Sequence, residues 1–224
     1  VEELRLILTA DGSHSIYNTV LDEHYHSTHG AIQESRHVFI EAGLRPLAFA
    51  GQTIRILEIG FGTGLNCLLS LSEAKKQGLK MEYTSLEPFP LSHGMVAALN
   101  YTSLLEASQT ESAFTKMHSL EEGRVELSAA FTLIRSRNTL HDFEPDGKYG
   151  LIYFDAFAPA IQPELWTEEM FRKLYACLIP GGVLVTYCAK GVVKRAMKQA
   201  GFLIERLPGP PGKREMTRAR LPLI

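Results

Sequence analysis

From residue 54 onward, short apolar runs alternate with longer stretches of helical spacing. IRILEI (54–59), MEYTSLE (81–87), FTLIRSR (131–137), YGLIYFDAF (149–157) and GVLVTYC (182–188) read as strands. LNCLLSLSEAKKQ (65–77), LSHGMVAALN (91–100), SLLEASQTESAFTKM (103–117) and PELWTEEMFRKLYACL (163–178) read as helices, the last closed by Pro180-Gly181-Gly182. VVKRAMKQAG (192–201) is a further helix with a glycine stop. FLIERL and REMTRARL end the chain as two strands joined by the short turn PGPPGK, which makes them antiparallel. This alternation predicts an α/β fold with a mostly parallel sheet covered on both faces. Upstream, LRLILT (4–9) and IYNTV (16–20) predict a hairpin turning at Asp11-Gly12. A histidine-rich loop, His24 to His29, leads into a predicted helix over 30–42 that stops at Gly43.

The chain's 224 residues suit one domain with an extra piece. The expected division is an N-terminal hairpin-and-helix extension over 1–50 and a main domain over 51–224. Three scattered cysteines, Cys67, Cys177 and Cys188, contain no CxxC pair. They predict free thiols in a reducing compartment and no cysteine-built zinc site. Neither a long apolar stretch nor a basic-then-apolar leader is visible, so the expected location is cytoplasmic, without a membrane span. His14, His24, His26, His29 and His37 lack metal-ligand spacing, and no metal is expected.

Charge is unevenly placed. Residues 1–50 carry seven acidic and three basic side chains; residues 187–224 carry nine basic and two acidic. The basic end suits either an anionic partner or a solvated face.

EIGFGTG (58–64) lies between a predicted strand and helix. Gly60, Gly62 and Gly64 let the backbone turn tightly beside a ligand at the helix N-terminus. Glu87 ends the next strand, where an acidic side chain binds a ribose diol in nucleotide-binding α/β units. Glu58 adds a carboxylate expected to face the same crevice. A carboxylate there disfavours pyrophosphate and suits a sulfonium and an α-amino group, hence S-adenosylmethionine over NAD. Asp155 ends an apolar strand, so its carboxylate is expected over that crevice, with Phe157, Pro159 and Trp166 as rigid walls. Such a carboxylate can hold an ammonium or take its proton.

LEIGFGTGLN, DAFAPAIQPELW and GPPGKREM, in this order, together with YHSTHGAIQESRHVFIEAGL, resemble the methyltransferase domain of the MnmC family and its stand-alone MnmD versions. The resemblance covers roughly 17 to 220. It implies a class I, Rossmann-like methyltransferase with a seven-stranded sheet whose last strand is antiparallel. The implied reaction moves a methyl group from S-adenosylmethionine to the amine of 5-aminomethyl-(2-thio)uridine at the wobble position of tRNA, giving 5-methylaminomethyl-(2-thio)uridine.

Carried over, Asp155 lies beside the accepting amine, with Phe157 and Pro159 as wall. Gly60, Gly62, Gly64, Leu65, Asn66 and Glu87 match the cofactor loop and second strand. Glu34 matches a glutamate expected near the methionine end, and Lys213-Arg214-Glu215 match the family's last turn. Bifunctional members continue into a flavin oxidase domain that frees the amine; with none here, a separate enzyme is expected to supply it. Many members have Gly-Asp at the end of the third strand, where this chain has Arg135-Ser136-Arg137, so no adenine contact is assigned.

The expected tRNA contacts are Lys190, Lys194, Arg195, Lys213 and Arg214. Phe157 or Trp166 offers a face for the splayed base, and Trp166 alternatively anchors the following helix. Two other functions compete: an aminopropyltransferase acting on a small amine, and a non-catalytic tRNA-binding module.

Overall fold

A computed structural model describes residues 3–47, 52–105 and 110–223. The chain opens with β1 (Leu4–Leu8), β2 (His14–Asn18) and the two-residue β3 (Glu23–His24), an antiparallel sheet in that order. Helix α1 (Ala31–Ser35) runs without a break into a π-helix, Arg36–Leu44. The predicted stop at Gly43 therefore falls inside a helix. Gly43 serves close approach instead: a Cβ there would stand 3.0 Å from Val185 Cγ2.

The remaining elements are β4 (Ile54–Ile59), α2 (Leu65–Gln77), β5 (Met81–Leu86), α3 (His93–Ala97), α4 (Tyr101–Leu104), α5 (Thr110–His118), β6 (Gly123–Ser128), β7 (Phe131–Ser136) and β8 (Tyr149–Phe154). A 3₁₀ turn (Pro163–Trp166) precedes α6 (Glu168–Cys177), β9 (Leu178–Thr186), α7 (Gly191–Gln199), β10 (Leu203–Pro208) and β11 (Glu215–Arg220). The main sheet has the order β10-β11-β9-β8-β4-β5-β7-β6. Its five central strands, β9 to β7, are parallel; β6, β11 and β10 pair antiparallel.

Three expectations are corrected here. The sheet has eight strands, not seven, because β6 hairpins onto β7 and forms an exposed edge. Its alternation of arginine, valine, glutamate and leucine gives only one lightly buried face, so no apolar run marks it. Pro180-Gly181-Gly182 does not close a helix but lies inside β9, where Gly181 (φ +77°) accompanies a register shift against β8. The predicted helix over 163–178 is two elements, since Thr167 Oγ1 accepts the Met170 N–H and starts α6 afresh.

Strand alternation sends β8 side chains to both layers. Leu151 and Tyr153 join a core with Phe39, Leu44, Leu68 and Tyr83 under the π-helix and α2. Ile152 and Phe154 join another with Phe171, Leu174 and Met197 under α6 and α7. Ile16, Ile32 and Phe39 belong to the first core, so the N-terminal segment packs on the sheet itself. The expected boundary at 50/51 lies outside the described residues. β4 is followed by β5 on one side of it while β8 lies on the other, which opens a crevice at their carboxyl ends.

Candidate active site

That crevice is a cavity of about 560 Å³, within the usual range for small-molecule sites. The glycine turn forms one wall. Gly60 has φ +90°, and a Cβ on it would come 2.6 Å from the Asp155 carbonyl oxygen. Gly60 N donates to Leu86 O and Asp155 N donates to Ile59 O, both at 3.0 Å, so the ends of β4, β5 and β8 are tied together. Gly62 N donates 2.9 Å to Glu87 Oε2, and Phe89 N donates 3.0 Å to Glu87 Oε1. Burial raises the Glu87 carboxyl above its ordinary value, and these backbone donors oppose the shift.

Under the turn, the Phe61 ring meets both the Arg135 guanidinium, 4.2 Å from its centroid, and the His118 ring, 5.2 Å away and tilted. Arg135 Nη1 donates to Met117 O and Leu120 O. Arg135 is thereby held below the loop. Asn138, Thr139, Leu140 and His141 line the cavity at this end instead.

Asp155 sits half-buried on the cavity floor. Its Oδ2 accepts from Asn66 Nδ2 at 2.8 Å. Burial is the main cause pushing its carboxyl up to about 7; Glu34 adds to the rise, while the Asn66 bond and Lys213 oppose it. Glu34 accepts from Ser27 N at 2.7 Å and from Lys213 Nζ at 2.6 Å. The Lys213 ammonium also stands 4.1 Å from the centroid of Tyr187, whose hydroxyl donates to Ala156 O. Phe157 meets Tyr25 edge-on at 5.1 Å. Its backbone is held at both ends: Phe157 N donates to Gln162 Oε1, and Trp166 Nε1 donates 2.8 Å to Phe157 O.

Glu34, Gly60, Gly62, Glu87, Asp155, Phe157 and Lys213 thus meet around one cavity. Others stand elsewhere. Glu58 does not face the crevice: it is fully buried and accepts from Ser85 Oγ (2.7 Å) and Asn66 Nδ2 (3.2 Å). Burial pushes its carboxyl up to about 8. Gly64, Leu65 and Asn66 lie behind the wall, and Pro159 stiffens the turn that follows Phe157 rather than lining the cavity. Trp166 is buried against Phe154 and Phe171, the anchoring role, and offers no face to a ligand.

The basic set divides. Lys190, Arg195 and Arg214 are exposed. Lys194 is buried against Glu215 at 2.8 Å, and Lys213 belongs to the cavity. The histidines scatter: His14 donates to Ala98 O, His37 to Pro208 O, and His26 Nε2 meets Thr63 Oγ1 at 2.8 Å. Burial holds His26 down at about 4, hence neutral. No three metal-ligating side chains gather among the described residues.

Tyr25 and Tyr187 are site residues that sequence reasoning passed over. Tyr187 directly follows β9, so the strand-end rule that found Asp155 applied to it as well. Tyr25 arrives from the N-terminal loop by tertiary packing, without a local signal.

The donor set fits S-adenosylmethionine. A Cβ at Gly60 would collide with the adjoining strand end, and Glu87 stands where the loop meets the second strand, as a ribose diol requires. Glu34 and Asp155 line the cavity together with Tyr25, Phe157 and Tyr187, and carboxylates among aromatic rings suit a cationic ligand.

Residues 99–222 match the family described as S-adenosyl-L-methionine-dependent methyltransferase. The chain is 33% identical to the tRNA 5-methylaminomethyl-2-thiouridine biosynthesis bifunctional protein MnmC of Cupriavidus necator, over 98% of this chain and 34% of that protein. Against the MnmC of Pseudomonas fluorescens it is 33% identical over 89% of this chain and 32% of that one. The chain therefore spans about a third of the length of the curated relatives it matches. The crystal structure of MNMC2 from Aquifex aeolicus superposes with a TM-score of 0.78 at 25% identity, over 99% of this chain and 72% of that chain. The N-methyltransferase NodS from Bradyrhizobium japonicum, at 11% identity and a TM-score of 0.50 over 85% of this chain and 94% of that one, shares the fold. An aminopropyltransferase is set aside by these matches. The chain belongs to the S-adenosyl-L-methionine-dependent methyltransferases, in the MnmC methyltransferase-domain family.

Proposed function

We propose that this chain methylates the primary amine of 5-aminomethyl-(2-thio)uridine at the wobble position of tRNA, giving 5-methylaminomethyl-(2-thio)uridine. The observation that carries the reading is the Asp155 carboxylate on the floor of an aromatic-walled cavity, with its pKa near 7. Its support in kinship is the match to MnmC proteins along nearly the whole chain.

An alkylamine has a pKa of roughly 10 by analogy with lysine and arrives protonated, without a lone pair. Above about pH 7 Asp155 is ionised and can accept that proton. The Phe157 and Tyr25 rings exclude water from the amine and lower its proton affinity. Gly60, Gly62 and Glu87 would hold the cofactor's nucleoside, and Glu34 with Lys213 would bound the rest of the cavity. When bound, S-adenosylmethionine supplies an electrophilic methyl group. The protein's share of the catalysis is positioning and proton removal.

The wobble base enters beside Phe157, and the exposed Lys190, Arg195 and Arg214 meet the phosphates of the anticodon stem and loop. An activity outside residues 1–224 supplies the free amine. No helix among the described residues is long and apolar enough to cross a membrane. The proposed tRNA substrate supports a cytoplasmic reaction.

The test is methyl incorporation into tRNA from a strain that accumulates the aminomethyl form, followed by nucleoside analysis. Label in 5-methylaminomethyl-(2-thio)uridine is expected. Label at another nucleoside would overturn the substrate assignment.

A further inference from the structure

Behind the cavity floor, two carboxyl groups share one amide. Asn66 Nδ2 donates 3.2 Å to Glu58 Oε1 and 2.8 Å to Asp155 Oδ2. A primary amide nitrogen has two hydrogens, so both are used here. The cost is visible at the other end of the amide: Asn66 Oδ1 is buried with no hydrogen-bond partner. Turning the amide over would aim that oxygen at two carboxyl groups. Asn66 is therefore held in one orientation by Glu58 and Asp155 together.

Two carboxyl groups this close, in a site with little water, do not both ionise; one keeps a proton. Their surroundings decide which. Asp155 faces the Lys213 ammonium, has the shorter bond from Asn66 and opens onto the cavity; Glu34 and the Tyr187 phenol also face it. Glu58 faces the Ser85 hydroxyl, the Tyr83 and Tyr153 phenols and the Cys67 thiol, all neutral, with Arg135 as the nearby cation. Ser85 donates to Glu58 Oε2 when the carboxylate is ionised; protonation at Oε2 reverses that bond, so Glu58 donates to the hydroxyl oxygen while Oε1 still accepts from Asn66.

We propose that Glu58 and Asn66 are positioning residues: Glu58 keeps the proton and locks Asn66, and the locked amide holds the ionised Asp155 carboxylate toward the substrate amine. Burial raises both carboxyls above their ordinary values; the Lys213 ammonium opposes the rise at Asp155, whereas the Asp155 charge adds to it at Glu58. The proposal rests on the reading of Asp155 as the group that serves the amine. It also gives Glu58 a role that the cavity itself denies it.

The test couples kinetics to a titration that needs no tRNA. The chain has five aspartates, so carboxyl-¹³C aspartate NMR can follow Asp155, assigned by Asp155→Asn. In Asn66→Ala the Asp155 midpoint is expected to rise by about one pH unit, because the ionised form loses a donor. The variant's kcat is expected to fall about fivefold at pH 7, as the ionised fraction drops, and to recover by about pH 9, with S-adenosylhomocysteine affinity by calorimetry within about threefold of the parent. Glu58→Leu is expected to lower kcat about tenfold, and Glu58→Gln, which can accept from Asn66 and donate to Ser85, to restore most of it. Asn66→Ser replaces Asn66→Ala if the latter does not fold. An unmoved Asp155 midpoint, or a loss confined to S-adenosylhomocysteine affinity, overturns the proposal. So does a Glu58→Gln variant as slow as Glu58→Leu. Because the NMR arm omits tRNA, a failed substrate assignment and a failed positioning role give different results.

Discussion

The Lys213 ammonium lies 2.6 Å from the Glu34 carboxylate and joins segments 179 residues apart in the chain. The Glu34 side chain is only 8% exposed, while Lys213 is 35% exposed. Removing the lysine strands a buried carboxylate, but solvent near Lys213 already screens the pair. Lys213→Met is expected to cost about 1–3 kcal/mol, below the loss for a fully buried pair. Urea denaturation measures it, and Lys213→Met with Glu34→Gln should recover more than half. Equal losses in the single and double variants would show that the pair itself contributes nothing.

Asp155 sets the expected pH dependence. Its carboxyl is raised to about 7, chiefly by burial, so kcat/KM should fall as pH drops through that value. Asp155→Asn keeps the shape and the Asn66 contact but cannot take a proton. Methyl transfer is expected to fall by about 10²–10⁴-fold. Calorimetric binding of S-adenosylhomocysteine should change little; full activity in the variant would remove Asp155 from the mechanism.

Glu58 links stability to pH in the opposite sense to a paired surface acid. Its folded pKa of about 8 lies above the ordinary 4.5, so the folded state binds more protons between these values. Stability is highest below that window and falls as pH rises through it. Glu58→Gln abolishes this component. The variant should melt above the parent at pH 9 and lose that advantage near pH 5, by scanning calorimetry. Parallel melting curves for both proteins would contradict the raised pKa.

Two glycines with positive φ should respond differently to alanine. At Gly60 the added Cβ would meet the Asp155 carbonyl oxygen at 2.6 Å, whereas at Gly78 it meets nothing within 4 Å. Gly78→Ala bears only left-handed strain, about 1–2 kcal/mol. Gly60→Ala adds a backbone clash and is expected to cost about 2–4 kcal/mol and to abolish S-adenosylhomocysteine binding. Thermal melts with calorimetric titration separate the two.

The exposed cations should carry the salt dependence of tRNA binding. Arg195→Ala and Arg214→Ala are each expected to lower the slope of log K against log salt by about one. Lys194→Ala should leave the slope alone and destabilise the fold, since its ammonium is already held by Glu215. Filter binding across a salt series checks all three; an unchanged slope in both arginine variants would remove the phosphate contacts.

Much of this arrangement is legible along the chain, for a physical reason. Apolar period, helix caps and glycine turns act within a few residues, so the order of strands and helices and the strand–turn–helix at Gly60–Gly64 can be read locally. Asp155 and Glu87 were also accessible, because strands in a parallel sheet deliver their last residues to a common edge. The weakly apolar β6 and the helix across Gly43 were not, since pairing and close packing with distant partners decide them.

By itself, then, the sequence determined a parallel α/β sheet, a glycine turn and two carboxylates at neighbouring strand ends. Only the tertiary structure decided what each charged group faces. It buried Glu58 behind Asn66, turned Lys213 into the cavity toward Glu34, and committed Lys194 to Glu215. Asn66 and Asp155 are 89 residues apart in the chain. Contacts at such separations are set by how the layers pack, and with them whether a carboxyl meets solvent, a cation or another carboxyl.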